Sequence, residues 1–128
     1  MSKRVLDASA LLALLNEEPG AEKVAQAVSQ GALVSTVNLS EVVGKLCEAG
    51  MPENEVHQVL DLLNLELIAF DADLAYRAGV LRPLTRQQGL SLADRACLAL
   101  GQRSGLPVVT ADRTWEGLRI GVVIVPIR

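Results

Sequence analysis

Four carboxylates hold equivalent places along the 128-residue chain. Asp7 closes the apolar run Arg4-Val5-Leu6, Glu41 follows the apolar run at 32–35, Asp94 opens the periodic stretch after Ser91, and Asp112 comes two residues after Val108-Val109-Thr110. An acid at a strand-to-helix turn lies at the carboxyl edge of an open α/β sheet, the edge where such sheets bind ligands. Right-handed crossovers bring strand ends, and the helix starts that follow them, to one edge, so the four acids are expected to converge. Two carboxylates ~4 Å apart repel by about 4 kcal/mol at an effective dielectric of 20. A hard divalent cation reverses that sign. Oxygen-only ligation suits Mg²⁺ or Mn²⁺, and no His or Cys lies near these motifs to favour zinc. A cation held this way activates water and stabilises charge on a phosphate diester.

Each acid also has a plain structural reading. Asn38-x-x-Glu41 has the pattern of a capping box, and Ser91-x-x-Asp94 is close to one. Asp112 is placed to cap the turn before Trp115. Asp7 is harder to explain, because it sets a charge into an apolar strand–helix junction. The set of four at matching edges favours chemistry. The other acids scatter over helix faces and loops as solvated surface does.

The elements that must position these residues alternate. Strands are expected at 4–7, 32–35, 66–70, 107–110 and 122–125. Helices are expected at 9–15 with Ser9 as candidate N-cap, at 21–29, from Asn38 to the stop at Gly50, at 52–64 with Pro52 in the first turn, at 72–82 capped by Asp71, and from the Ser91 cap to Gly105. The last is expected to bury Leu92, Ala93, Ala96, Cys97 and Leu100. Residues 82–89 read as a polar loop, and 111–115 as a turn. Strands alternating with helices imply a parallel sheet covered on both faces, and near-continuous Val, Leu and Ile strands agree with burial on both sides.

At 13.6 kDa the chain, residues 1–128, is expected to be one domain, with a core that needs no disulfide or structural metal. Half of the residues are hydrophobic but only 2% aromatic, so the core must be aliphatic. The mean hydropathy of +0.31 is high enough to suggest that a partner covers some of that surface. No apolar run reaches the ~18 residues of a membrane span, and a strand follows Lys3 and Arg4 directly, so neither a membrane anchor nor a signal peptide is expected. Cys47 and Cys97 read as reduced core thiols of a cytoplasmic protein. There are no repeats, low-complexity tracts or linkers. With a net charge of −3 this is no generally basic nucleic-acid binder, so any such affinity needs a local patch or a metal. Arg82, Arg86, Arg95 and Arg113 lie in or near the loops of the acidic edge, where they would contact phosphate. His57 falls on an exposed helix face without a partner to orient it, and Trp115 reads as a packing residue.

In Val5-Leu6-Asp7-Ala8-Ser9, Asn38-Leu39-Ser40-Glu41-Val42, Leu90-Ser91-Leu92-Ala93-Asp94-Arg95-Ala96 and Val109-Thr110-Ala111-Asp112-Arg113-Thr114-Trp115, the chain resembles PIN domains, specifically the VapC-type toxin ribonucleases of toxin–antitoxin pairs. The resemblance covers nearly the whole chain. It implies a PIN-like three-layer fold with a five-stranded parallel sheet flanked by helices. It implies Mg²⁺- or Mn²⁺-dependent cleavage of RNA, with Asp7, Glu41, Asp94 and Asp112 in the acidic pocket. Of these, Asp7, Asp94 and Asp112 would hold the metal, and Ser9 and Thr110 would sit near metal-bound water. It also implies a small antitoxin partner covering the site and a homodimer, with exposed Leu of the third and fourth helices offering a face for either. Some PIN domains carry a further acid two or three residues after the last one. Here those positions are Thr114 and Trp115, with Glu116 the nearest substitute, so the resemblance does not carry a two-metal mechanism.

The function expected is a metal-dependent endoribonuclease toxin, neutralised by its antitoxin, whose products end in 3′-hydroxyl and 5′-phosphate. Two other classes fit parts of the pattern. A phosphatase of the haloacid dehalogenase type would use Asp7 as nucleophile and Ser35 or Thr36 to bind phosphate, but it wants a second acid where Ser9 stands. A non-catalytic PIN-like module would dock RNA or protein without turnover.

Overall fold

Five short parallel strands form one sheet in the order β3–β2–β1–β4–β5 in the computed structural model, which describes residues 2–128. They are β1 (Arg4–Leu6), β2 (Ala32–Ser35), β3 (Glu66–Ile68), β4 (Val108–Thr110) and β5 (Ile124–Pro126). Val5 pairs with Leu33 of β2 on one side and with Val108 of β4 on the other. Strand order therefore reverses between β1 and β4. In a doubly wound sheet that reversal opens a crevice at the carboxyl ends of the two strands.

Successive strand residues point to opposite faces, and the core divides accordingly. Leu6, Val34 and Val109 pack beneath α1 (Ala8–Leu15), α2 (Ala21–Ser29), α3 (Thr36–Glu48) and α4 (Glu53–Leu62). Val5, Leu33 and Val108 pack beneath α5 (Ala72–Leu84) and α6 (Leu92–Ser104), together with Leu74, Leu98 and Trp115. This is the expected three-layer α/β fold. Trp115 is buried, as a packing residue should be, within a short 3₁₀ segment (Arg113–Gly117).

Several boundaries differ for identifiable reasons. α1 starts at Ala8, and its N-cap is Asp7 rather than Ser9. α3 leaves β2 without a loop: Ser35 is the cap, accepting from the Val37 N–H at 3.3 Å. Asn38 is thus a buried residue inside the helix, and Glu41 lies in its second turn rather than its first. α5 continues through Pro83 to Leu84, so the polar loop begins at Thr85, whose N–H and hydroxyl both donate to the Leu81 carbonyl at 3.0 Å. Leu92 is exposed on the first turn of α6 instead of buried. Cys47 is exposed too, since the inward positions of α3 are Asn38, Val42 and Leu46, one helical stripe away. Cys97 is a buried free thiol as expected. Among the described residues no helix is long and apolar enough to cross a membrane.

Candidate functional site at the switch point

Asp7 stands at the crevice between β1 and β4. It is 3% exposed, and three donors hold its carboxylate. The Ala10 N–H donates to Oδ1 at 2.8 Å, which caps α1. The Ser9 hydroxyl donates across both oxygens at 2.8 and 2.9 Å, and Thr110 Oγ1 donates to Oδ2 at 2.6 Å. The structural role that the sequence did not suggest is therefore real. It does not require charge, however, because Asn or Ser caps a helix as well. Burial raises the Asp7 carboxyl from 3.8 to about 6. The donors from Thr110, Ala10 and Ser9 oppose that rise, and the negative charge of Asp94 adds to it. Among the described residues no Lys or Arg pairs with Asp7 to offset this cost.

Ser9 and Thr110 brace Asp7 and also join it to the loop after β4. Ser9 Oγ accepts from the Ala111 N–H at 2.9 Å, and Thr110 Oγ1 accepts from the Asp112 N–H at 3.0 Å. The Asp112 carboxylate is turned into its own loop, accepting from the Thr114 N–H at 2.9 Å and the Thr114 hydroxyl at 2.7 Å. Asp94 forms a full capping box with Ser91: Ser91 N–H donates to Asp94 Oδ2 at 2.9 Å, and Asp94 N–H donates to Ser91 Oγ at 3.2 Å. Glu41 is half-buried on α3. The site thus brings Asp7 and Asp94 within electrostatic reach and links Asp112 to them through its backbone. Among the described residues, no group of three or more His, Cys, Asp and Glu is gathered into a closed metal cage.

An open oxygen site still fits a hard divalent ion. Mg²⁺ keeps several waters and needs only one or two direct carboxylates. The donors here are all oxygens, and the buried, uncompensated Asp7, within electrostatic reach of Asp94, leaves the pocket short of positive charge. The one nearby sulfur is ill suited to ligation. Burial pushes the Cys97 thiol well above its ordinary 9.0, and the charges of Asp7 and Asp94 push it further.

The arginines separate. Arg82 and Arg86 are exposed around a concavity of ≈350 Å³ shared with Thr85, Gly89 and Leu90. α5 and α6 run antiparallel, since Arg95 Nη1 donates to the Ala78 carbonyl at 2.9 Å and Arg103 pairs with Asp71 at 2.8 Å. That pairing sets the carboxyl end of α5, with Arg82, beside the turn that carries Asp94. Arg95 itself is buried at this helix contact, so its reading as a phosphate contact is corrected. Arg113 is exposed and pairs with Glu116 at 3.3 Å, which engages the substitute acid as well. His57 is exposed and lies 3.6 Å from Glu53. Ser35 is fully buried as a helix cap, out of reach of a phosphate, and Thr36 Oγ1 accepts from the Phe70 N–H at 3.1 Å.

Two features were missed. Asn38 Nδ2 donates to the Ala93 carbonyl at 3.0 Å, joining α3 to α6. Lys45 lines a groove with Ser9, Leu12, Asn16 and Arg128, and its only sequence signal is its place one helical turn after Glu41.

A family model described as the PIN domain matches residues 4–120. The fold is similar to a toxin–antitoxin complex from Klebsiella pneumoniae, at 21% identity over 98% of each chain with a TM-score of 0.74. It is similar to DNA-bound VapBC from Salmonella typhimurium, at 21% identity over 100% of each chain with a TM-score of 0.77. A VapBC-family member from Mycobacterium tuberculosis is 23% identical, over 98% of this chain and 99% of that one, with a TM-score of 0.64. These identities speak for the fold. No curated protein sequence matches the chain.

Proposed function

The chain belongs to the PIN domain family, and from that premise we propose that it is a Mg²⁺- or Mn²⁺-dependent endoribonuclease, acting in the cytoplasm as the VapC-type toxin of a toxin–antitoxin pair. One observation carries the reading: a buried carboxylate, Asp7, is held by three neighbouring donors at the switch point, within electrostatic reach of a second carboxylate and, among the described residues, with no cationic partner. A structural cap has no need of that charge, and a cation site does.

Asp7, Asp94 and Asp112 are the residues that would hold the ion. Bound there, a divalent ion would supply Lewis acidity toward a phosphate oxygen and a water more acidic than bulk water. Ser9 and Thr110 keep Asp7 ionised and oriented, since every hydroxyl contact to it favours the charged form. Asp94 or Asp112 accepts the proton of the attacking water, and Glu41 completes the acidic wall. In-line attack then leaves a 3′-hydroxyl and a 5′-phosphate. Arg82 and Arg86 contact phosphates on either side of the cut.

Two surfaces suit the partners. Leu39, Val43, Val56, Leu60, Leu65 and Leu67 line a groove of ≈530 Å³ between α3 and α4, which suits an apolar antitoxin segment. Tyr76, Val80 and Leu84 are all well exposed at four-residue intervals along α5, a stripe that suits a second copy of the chain.

The test is incubation of purified, antitoxin-free protein with a structured RNA pool in Mg²⁺, in Mn²⁺ and in EDTA, beside Asp7→Ala. Discrete cuts that need the metal and vanish in the variant support the reading. Equal cutting by Asp7→Ala, or cutting in EDTA, overturns it.

A further inference from the structure

Three of the four acids are braced locally. Ser9, Thr110 and the Ala10 N–H hold Asp7; Ser91 holds Asp94; Thr114 holds Asp112. Among the described residues no hydrogen bond or ion pair holds the Glu41 carboxylate. Its placement depends on how α3 sits.

Asn38 bears on that seating. It lies one turn before Glu41, in the first turn of α3, and is 1% exposed. Its Nδ2 donates to the Ala93 carbonyl, 55 residues away and immediately before Asp94, at 3.0 Å. Its Oδ1 is buried without a partner. A half-satisfied buried amide weakens a core relative to an apolar residue of similar size. Stability alone does not account for it.

We infer that Asn38 is a positioning residue of the acidic site, whose amide locks α3 to the first turn of α6 and so sets Glu41 against Asp94. The inference rests on the metal-dependent reading above. Residues that support ligands from behind fix their orientation, and losing one typically weakens metal binding about 10- to 100-fold.

The test is the Mn²⁺ affinity of the full chain by titration calorimetry for wild type, Asn38→Leu and Asn38→Ala. Melting temperatures in EDTA and the kcat and KM for RNA cleavage are measured alongside. Asn38→Leu is expected to melt no lower than wild type, yet to bind Mn²⁺ at least about tenfold more weakly, with the loss of turnover in kcat rather than KM. Should the Leu side chain not be accommodated, the smaller Asn38→Ala is judged by the same Mn²⁺ criterion. Wild-type Mn²⁺ affinity in a folded Asn38 variant overturns the positioning role and leaves the nuclease reading standing. A wild type that neither binds Mn²⁺ nor cleaves RNA overturns that reading, and this inference with it.

Discussion

Thr110 Oγ1 donates to Asp7 Oδ2 at 2.6 Å across 103 residues of chain. The bond ties the ends of two neighbouring strands at the point where strand order reverses. Because it favours the charged carboxylate, it opposes the effect of burial on Asp7.

Thr110→Val keeps the shape and removes that donor. A hydrogen bond to a charged group contributes about 1.5–3 kcal/mol, or about one to two pH units at 1.36 kcal/mol per unit. The acid limb of the pH–rate profile should move up by about one unit or more, and the protein should be less stable in EDTA at pH 8. A superimposable profile would show that Thr110 does not tune Asp7.

Asp7→Asn should leave the fold intact, because Asn also caps helices. Asp7 has a folded-state pKa of about 6 against an ordinary 3.8, so its protonated form favours the folded state. That contribution is full below pH 3.8 and is lost as pH rises through about 6. The difference of about two units corresponds to roughly 3 kcal/mol. In EDTA, Asp7→Asn should therefore be the more stable protein above pH 6, with an advantage that fades by pH 4. Urea denaturation at both pH values measures it. Mn²⁺ should raise the melting temperature of wild type and not of the variant.

Arg82→Gln with Arg86→Gln should weaken RNA binding and flatten its salt dependence. Each lost phosphate contact lowers the slope of log K against log salt by about 0.7 for a single strand, so the pair should lower it by about 1.4. An unchanged slope would remove the concavity at the end of α5 from the RNA path.

Val80→Arg places a charge in the middle of the exposed α5 stripe. If that stripe joins two copies, light scattering should show wild type as a dimer and the variant as a monomer with an unaltered melting profile at low concentration. A dimer that survives the substitution moves the interface elsewhere.

The layer order and the place of Asp7 at the end of β1 were legible because their signals are local. A charged Asp7 between Leu6 and Ala8 marks a strand end, and alternation in Val5-Leu6 and Val108-Val109 assigns the two faces. Asn38 was misread because Asn-x-x-Glu imitates a capping box, while the true cap, Ser35, is still the last strand residue. Arg95 read as a surface cation because its burial depends on α5 packing antiparallel against α6, a contact without local periodicity. Leu92 failed for the opposite reason: it fits the apolar pattern of α6 but sits on the first turn, before the helix meets the core. The hydroxyls of Ser9 and Thr110 bond to Asp7 itself, which only their separation in space reveals.

The most direct test of the account is the chemistry of the RNA ends at the cut. Metal–water hydrolysis predicts 5′-phosphates, which an RNA ligase joins without prior kinase treatment, and 3′-hydroxyls. Products carrying 2′,3′-cyclic phosphate and 5′-hydroxyl would mean that the RNA's own 2′-oxygen attacks, and would contradict the role given to Asp7 and its neighbours.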